Sequence, residues 1–245
     1  FCFMQVPYGS FTIYMQILSK IREIGGNLSE RIIECSLIVL IGLVPLIINT
    51  DAFDYWYRPK IETVYFVLII AGIAWCSKAF LKDGSFLWQN CPLTIPLLAY
   101  LCAAAISTAF SINVERSLYG DPLRVEGFYS IAAYVALTFL FINQARTRHL
   151  QERLIYALVI GATLVSLYGL FQYCAYDPTE HFFYKFWRRG PGVGSTIGNP
   201  NFLGKYLVLI LPLILALFLS SNSNPKTVLL GSSLFFCFSA LVVTY

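Results

Sequence analysis

Charge is what this chain has least of: Asp, Glu, Lys and Arg make up 12% of it, against 58% hydrophobic residues and a mean hydropathy of +0.68. A soluble domain carries about twice that share of charge, so an ordinary water-soluble fold is excluded. The formal surplus of +4 is scattered over the polar connections. With no basic block, nucleic acid is not expected as a partner. Histidine occurs only at His149 and His181, which an apolar run separates, and no Cys-x-x-Cys pair is present. A metal site therefore has no ligand set, and no cofactor is expected. Cys35, Cys76, Cys102, Cys174 and Cys237 lie in or at the ends of apolar runs and read as small core residues. Gly190, Gly192, Gly194 and Gly198 follow no strand pattern and lead to no GK[ST] ending, so both nucleotide-loop readings fail. Charge is also missing from the middle of every apolar run, with Glu34 and Lys78 at run ends. That argues against an ion-coupled transporter or a proton pump.

What the chain does have is long apolar runs. Seven of them approach the roughly 20 residues that cross a bilayer: Ile32 to Ile48, Thr63 to Phe80, Leu93 to Phe110, Phe128 to Asn143, Leu154 to Cys174, Phe202 to Leu219, and Thr227 onward. They are continuously apolar rather than alternating, which favours helices over barrel strands. The expectation is an all-α polytopic bundle of about seven spans over 32–245, preceded by an N-terminal interfacial segment over 1–31. Within that segment Tyr14, Ile17, Leu18, Ile21 and Ile24 share one helical face, and Gly25-Gly26 is expected to end the helix; a frayed, disordered terminus is the alternative. The chain begins at Phe1 and stops at Tyr245 inside an apolar run, so it is expected to be the N-terminal fragment of a larger bundle, inactive alone.

Lys and Arg divide almost evenly between the two sides. The short connection Gln144 to Arg153, with Arg146, Arg148 and Arg153, sets the N-terminus inside. Three connections then face outward: Asn49 to Glu62, Ser111 to Gly127, and Ala175 to Asn201. In the first, Asp51, Asp54, Arg58 and Lys60 mix with Tyr55, Trp56 and Tyr57, which reads as an aromatic belt with satisfied charges.

The third connection runs into RRGPGVGSTIGNPNFLGKYLVLILP, residues 188 to 212. Pro200 forbids a continuous helix through Asn199, Asn201 is expected to cap the run from Phe202, and unpaired N–H groups are expected at that helix start. With Arg188, Arg189 and Lys205 nearby, the turn suits a phosphate or pyrophosphate. A basic loop that merely anchors the helices is the alternative. The second connection, SINVERSLYGDPLRVEG, sets Arg124 at the membrane surface. There it can hold phosphate bidentately, or pair with Glu126, Asp121 or Glu115.

These stretches carry a resemblance. Ser111, Asn113, Ser117, Gly120, Arg124 and Gly127, then Gly198-Asn199-Pro200-Asn201 with Pro212, and more loosely Asp51, Phe53, Pro59 and Lys60, resemble the bacterial O-antigen ligase and polymerase family. The resemblance covers most of Ile32 to Tyr245. It implies a multi-pass enzyme of the bacterial cytoplasmic membrane in the assembly of lipopolysaccharide and other surface polysaccharides. Such an enzyme transfers a glycan from undecaprenyl diphosphate, a membrane lipid, to a lipid or protein acceptor on the outer side. It implies Arg124, Arg188, Arg189, Asn199 and Asn201 as donor-diphosphate contacts. The family's catalytic external loop, with its arginine and histidine, has no counterpart, so no catalytic base is assigned and His181 is not taken for one. A polytopic solute permease is the alternative function.

Overall fold

A computed structural model of the chain describes residues 8–49, 56–81, 91–121, 125–174 and 192–244, with no strand among them. Helix α1 (Tyr8–Ile38) runs on through a π turn (Val39–Leu43) and a 3-10 turn (Val44–Leu46). It is followed by α2 (Arg58–Leu81), α3 (Thr94–Ala109), the short α4 (Val114–Tyr119), α5 (Phe128–Gln144) and α6 (Arg148–Tyr173). A 3-10 turn (Ser195–Ile197), α7 (Pro200–Leu219) and α8 (Asn224–Val242) complete the described chain.

Four helices, α2, α6, α7 and α8, are long and apolar enough to cross a membrane, as befits a multi-pass membrane protein. The shorter apolar helices α3 and α5 have 16 and 17 residues, or about 24 to 26 Å at 1.5 Å per residue. The run from Ile32 is divided by its π and 3-10 turns. Pro45 explains that division: it has no N–H to return to the carbonyl four residues back, and its ring crowds that carbonyl. The register slips, and the Val44 N–H bonds to Val39 O, five residues back. Pro212, by contrast, sits inside α7 without ending it.

Gly25 and Gly26 do not end α1, contrary to expectation. Glycine costs a helix about 1 kcal/mol relative to alanine, but here tertiary packing outweighs propensity. A Cβ on Gly25 would come within 2.8 Å of Leu81 at the end of α2, and Gly26 is buried. The bare backbone lets the end of α2 meet the middle of α1. Residues 8–24 then extend past the end of α2, with Ile17, Ile21 and Ile24 exposed.

Helix α6 belongs to both cores. Leu150 and Leu154 pack with Ile33 and Leu37 of α1, Ala71 and Ala74 of α2 and Leu140 of α5. Val159, Ala162 and Val165 pack with Leu203, Leu207, Ile210 and Ile214 of α7 and with Leu230, Cys237 and Ala240 of α8. Lipid competes for apolar surface as well as protein does, so close fit decides such contacts. At the α1–α6 crossing a Cβ on Gly161 would come within 2.6 Å of Gly42 O.

Polar contacts fix the helix directions. Tyr65 Oη and Ser130 Oγ meet at 2.9 Å near the starts of α2 and α5, while Lys78 donates to Gln144 Oε1 at 3.2 Å near their ends. The two helices therefore run the same way. Lys78 also pairs with Glu30 at 3.2 Å, and Arg153 with Glu34 at 3.3 Å, closing that second end. At the first end, Lys60 reaches Ile47 and Thr196, and Val193 N–H donates to Val243 O. The connections 111–127 and 192–201 thus share one end of the bundle.

Candidate functional site

The turn 192–201 is set into the bundle rather than lying over it. Ser195 is fully buried at a positive φ of 51°. Its hydroxyl donates to Val165 O, and Val165 lies eight residues before the end of α6, which places the turn about 12 Å below that end. Thr196, 5% exposed, donates its hydroxyl to Pro45 O at 2.8 Å. The Lys60 ammonium donates to the carbonyls of Ile47 (2.9 Å), Trp56 (3.0 Å) and Thr196 (2.7 Å). From the sequence that lysine reads as a satisfied charge in an aromatic belt and, loosely, as part of the family resemblance.

Glycine is required twice here. Gly198 adopts φ 84°, where L side chains are strained, and a Cβ on it would strike the Trp56 ring. Gly194 lies so close to Gly198 and Asn199 that a Cβ would come within 2.7 Å of the Gly198 carbonyl carbon. The end of α8 closes the far side, where Gly192 is pressed between Thr244 and Pro200.

At the start of α7 the corner lies where expected but is built differently. Asn199, not Asn201, is the cap: its Oδ1 accepts the Asn201 N–H at 2.9 Å, and Pro200 takes the first helical position, where its missing N–H costs nothing. The Phe202 and Leu203 N–H groups both bond to Asn199 O, at 3.1 and 3.0 Å. The expected fan of unpaired N–H groups is therefore not present, because the Asn-Pro-Asn corner satisfies its own donors. The exposed Asn201 side chain makes no hydrogen bond among the described residues. Lys205 is exposed, with its ammonium 5.4 Å from the centre of the Phe202 ring. Tyr57 meets the same ring edge-on at 6.0 Å.

The connection 111–127 is closed on itself. Asn113 caps α4, accepting the Arg116 N–H at 3.0 Å, and Ser117 donates to Ser111 Oγ at 2.6 Å. Gly120, at φ 86°, and Gly127 touch backbone to backbone with no room for a Cβ on either. Val125 N–H donates to Asp121 O at 2.7 Å across the base of the segment that contains Arg124. Asp121, one of the three carboxylates weighed as partners of Arg124, pairs with Arg116. Ser130 ties the segment to the bundle by donating to Val125 O while meeting Tyr65.

Arg124, Arg188 and Arg189 lie outside the described residues. The flanks show that the connections they belong to reach the same end of the bundle on different sides of α2. Lys60 holds the 192–201 turn, and Tyr65, five residues on and about 140° around the helix, holds the 111–127 connection. Tyr65 and Ser130 carried no sequence signal beyond being polar groups within apolar runs, and Ser195 and Thr196 fall inside the 188–212 stretch with nothing to mark them individually.

Along the middle of the bundle an apolar groove of about 470 Å³ opens between α2 and α3, floored by α5. Leu68, Gly72 and Trp75 line one wall, Leu98 and Leu101 the other, and Val135 and Phe139 the floor. An apolar slot in a bundle whose end carries polar connections suits an amphiphile whose headgroup is polar and whose tail is hydrocarbon. Comparison of the chain with protein-family models, curated proteins and solved structures finds no match.

Proposed function

We propose that this chain is the membrane-embedded part of a glycosyltransferase of the O-antigen ligase and polymerase kind. On this reading it crosses the bacterial cytoplasmic membrane seven times with its N-terminus inside. The observation that carries the reading is the pairing of two polar connections at one end of the bundle with an apolar groove along the helices α2, α3 and α5. A polyprenyl diphosphate has the matching form: a hydrocarbon tail for the groove and an anionic head for the polar end. Arg124, Arg188, Arg189, Asn199 and Asn201 would meet that head, the two asparagines through side-chain amides rather than backbone N–H groups.

The reaction is a displacement. The acceptor hydroxyl oxygen bonds to the anomeric carbon as the bond from that carbon to the diphosphate oxygen breaks. The electron pair leaves with the diphosphate, whose growing charge the arginines offset. The hydroxyl proton passes to a base that is not assigned to any described residue. The permease reading has less support, because the Asp, Glu, Lys and Arg side chains of α2 and of α5 to α8 lie near helix ends.

The test is glycan transfer from a polyprenyl-diphosphate donor in membranes, normalised to protein level. Losing a charge-assisted contact in a water-poor site costs about 3 kcal/mol, on the order of a hundredfold in rate. Arg124→Ala is expected to lose that much, and Arg124→Lys to lose most of it, since an ammonium cannot span two phosphate oxygens as a guanidinium does. Near-wild-type transfer by Arg124→Ala would remove this arginine from the mechanism.

A further inference from the structure

Carbonyl oxygens from separate parts of the chain converge on one point at the polar end. Ile47 O comes from the segment after α1, Trp56 O from just before α2, and Thr196 O from the set-in turn; they stand 2.9, 3.0 and 2.7 Å from Lys60 Nζ. Carbonyl dipoles turned towards a common centre repel one another unless a cation occupies it, the arrangement by which backbone oxygens bind bare monovalent ions in channel filters. We propose that the Lys60 ammonium is a tethered cation in a backbone carbonyl cage, and that Lys60 is the positioning residue that keeps the Ser195–Asn201 turn seated in the bundle. The proposal does not depend on the transferase reading.

The surroundings fit that role. Thr196 is gripped from both sides: its carbonyl accepts from Lys60, and its hydroxyl donates to Pro45 O, so the turn cannot rise without breaking both. Trp56 supplies a cage carbonyl while its ring lies against Gly198 and 6.0 Å from the ammonium. Ejecting the cation would therefore release the Gly198 backbone as well. Lysine suits the site where arginine would not. An ammonium is a compact centre with rotatable donors, whereas a guanidinium spreads its donors over a plane and cannot direct them at one point.

A cage specific for a small cation makes a distinctive prediction: with the tether cut, a free cation of the same size should substitute. The measurement is amide hydrogen exchange on the purified chain in detergent micelles, comparing the segment 195–203 with 155–165 of α6. Hydrogen bonds to a charged group are the strong ones, so Lys60→Met, which keeps the stem and removes the charge, is expected to speed exchange of 195–203 about tenfold while 155–165 is unchanged. Lys60→Ala is expected to do the same and to recover in methylammonium chloride, but not in tetramethylammonium chloride of equal ionic strength. Wild-type exchange in Lys60→Met overturns the proposal, and so does equal recovery, or none, with the two salts. A uniform rise across both segments also overturns it, because Lys60 would then stabilise the whole bundle rather than the turn. If Lys60→Met does not fold, Lys60→Gln decides, since its amide still serves one carbonyl. Local loosening at 195–203 supports the cage, and unchanged exchange there overturns it.

Discussion

Between Ser111 and Gly127 the contacts that shape the chain come mostly from its own neighbours: Asn113 to Arg116, Ser117 to Ser111, Asp121 to Val125, and Gly120 against Gly127. Between Gly192 and Asn201 they come from far away, since Thr196 reaches Pro45 across 151 positions and Lys60 across 136. The first connection is a closed loop attached to the bundle through Ser130 and Tyr65. The second is part of the bundle's interior, with Ser195 and Thr196 buried. Damage to the closed loop should therefore cost the folded bundle little, whereas damage to the set-in turn should cost it more.

Gly198→Ala should break the comparison hardest. The new Cβ meets the Trp56 ring, and the backbone at φ 84° is strained for any residue with a side chain. The left-handed strain costs about 1–2 kcal/mol and overpacking about 1–3 kcal/mol, so a loss of about 3 kcal/mol is expected. Unfolding of the purified chain in mixed micelles, followed by circular dichroism, measures it. A loss below about 1 kcal/mol would mean that Trp56 can move aside and that the turn is not held by that stack.

The same contrast explains what could be read from the sequence. The Asn-Pro-Asn corner is a local device, and it lies where its residues placed it. Even the error at the corner was local: a proline favours the first helical position, which makes the residue before it the cap. The cage around Lys60 was not legible. In sequence it is one lysine in an aromatic stretch, and its partners at Ile47 and Thr196 are chosen by how α1, α2 and the turn pack. Gly25-Gly26 failed for a related reason, since the end of α2 that stabilises them lies far along the chain. Helix α2 contains the apolar run Thr63 to Phe80 and begins one turn earlier, at Arg58, because its first turn is polar.

A milder change sharpens the comparison by removing one oxygen from each connection. Thr196→Val keeps the shape of the buried side chain but leaves Pro45 O without this donor, and a buried group left unsatisfied costs about 1–3 kcal/mol. Ser117→Ala removes a hydroxyl from a half-buried site in the closed loop, where water can replace it, so less than about 1 kcal/mol is expected. The same unfolding experiment compares the pair. Equal losses would mean that the set-in turn is no more deeply engaged than the loop.

The smallest effect should come from the most conspicuous charge contact at this end, between Arg116 and Asp121. Their side chains are 66% and 40% exposed, so solvent and salt screen the pair. Exposed pairs contribute about 0–1 kcal/mol. The cap of α4 does not depend on the guanidinium either, because Asn113 accepts the backbone N–H of Arg116, which an alanine retains. Arg116→Ala is therefore expected to shift unfolding by no more than about 0.5 kcal/mol, with the difference vanishing in molar salt. A loss above about 1 kcal/mol that survives high salt would show that the ion pair, rather than the backbone contact between Gly120 and Gly127, holds the loop closed.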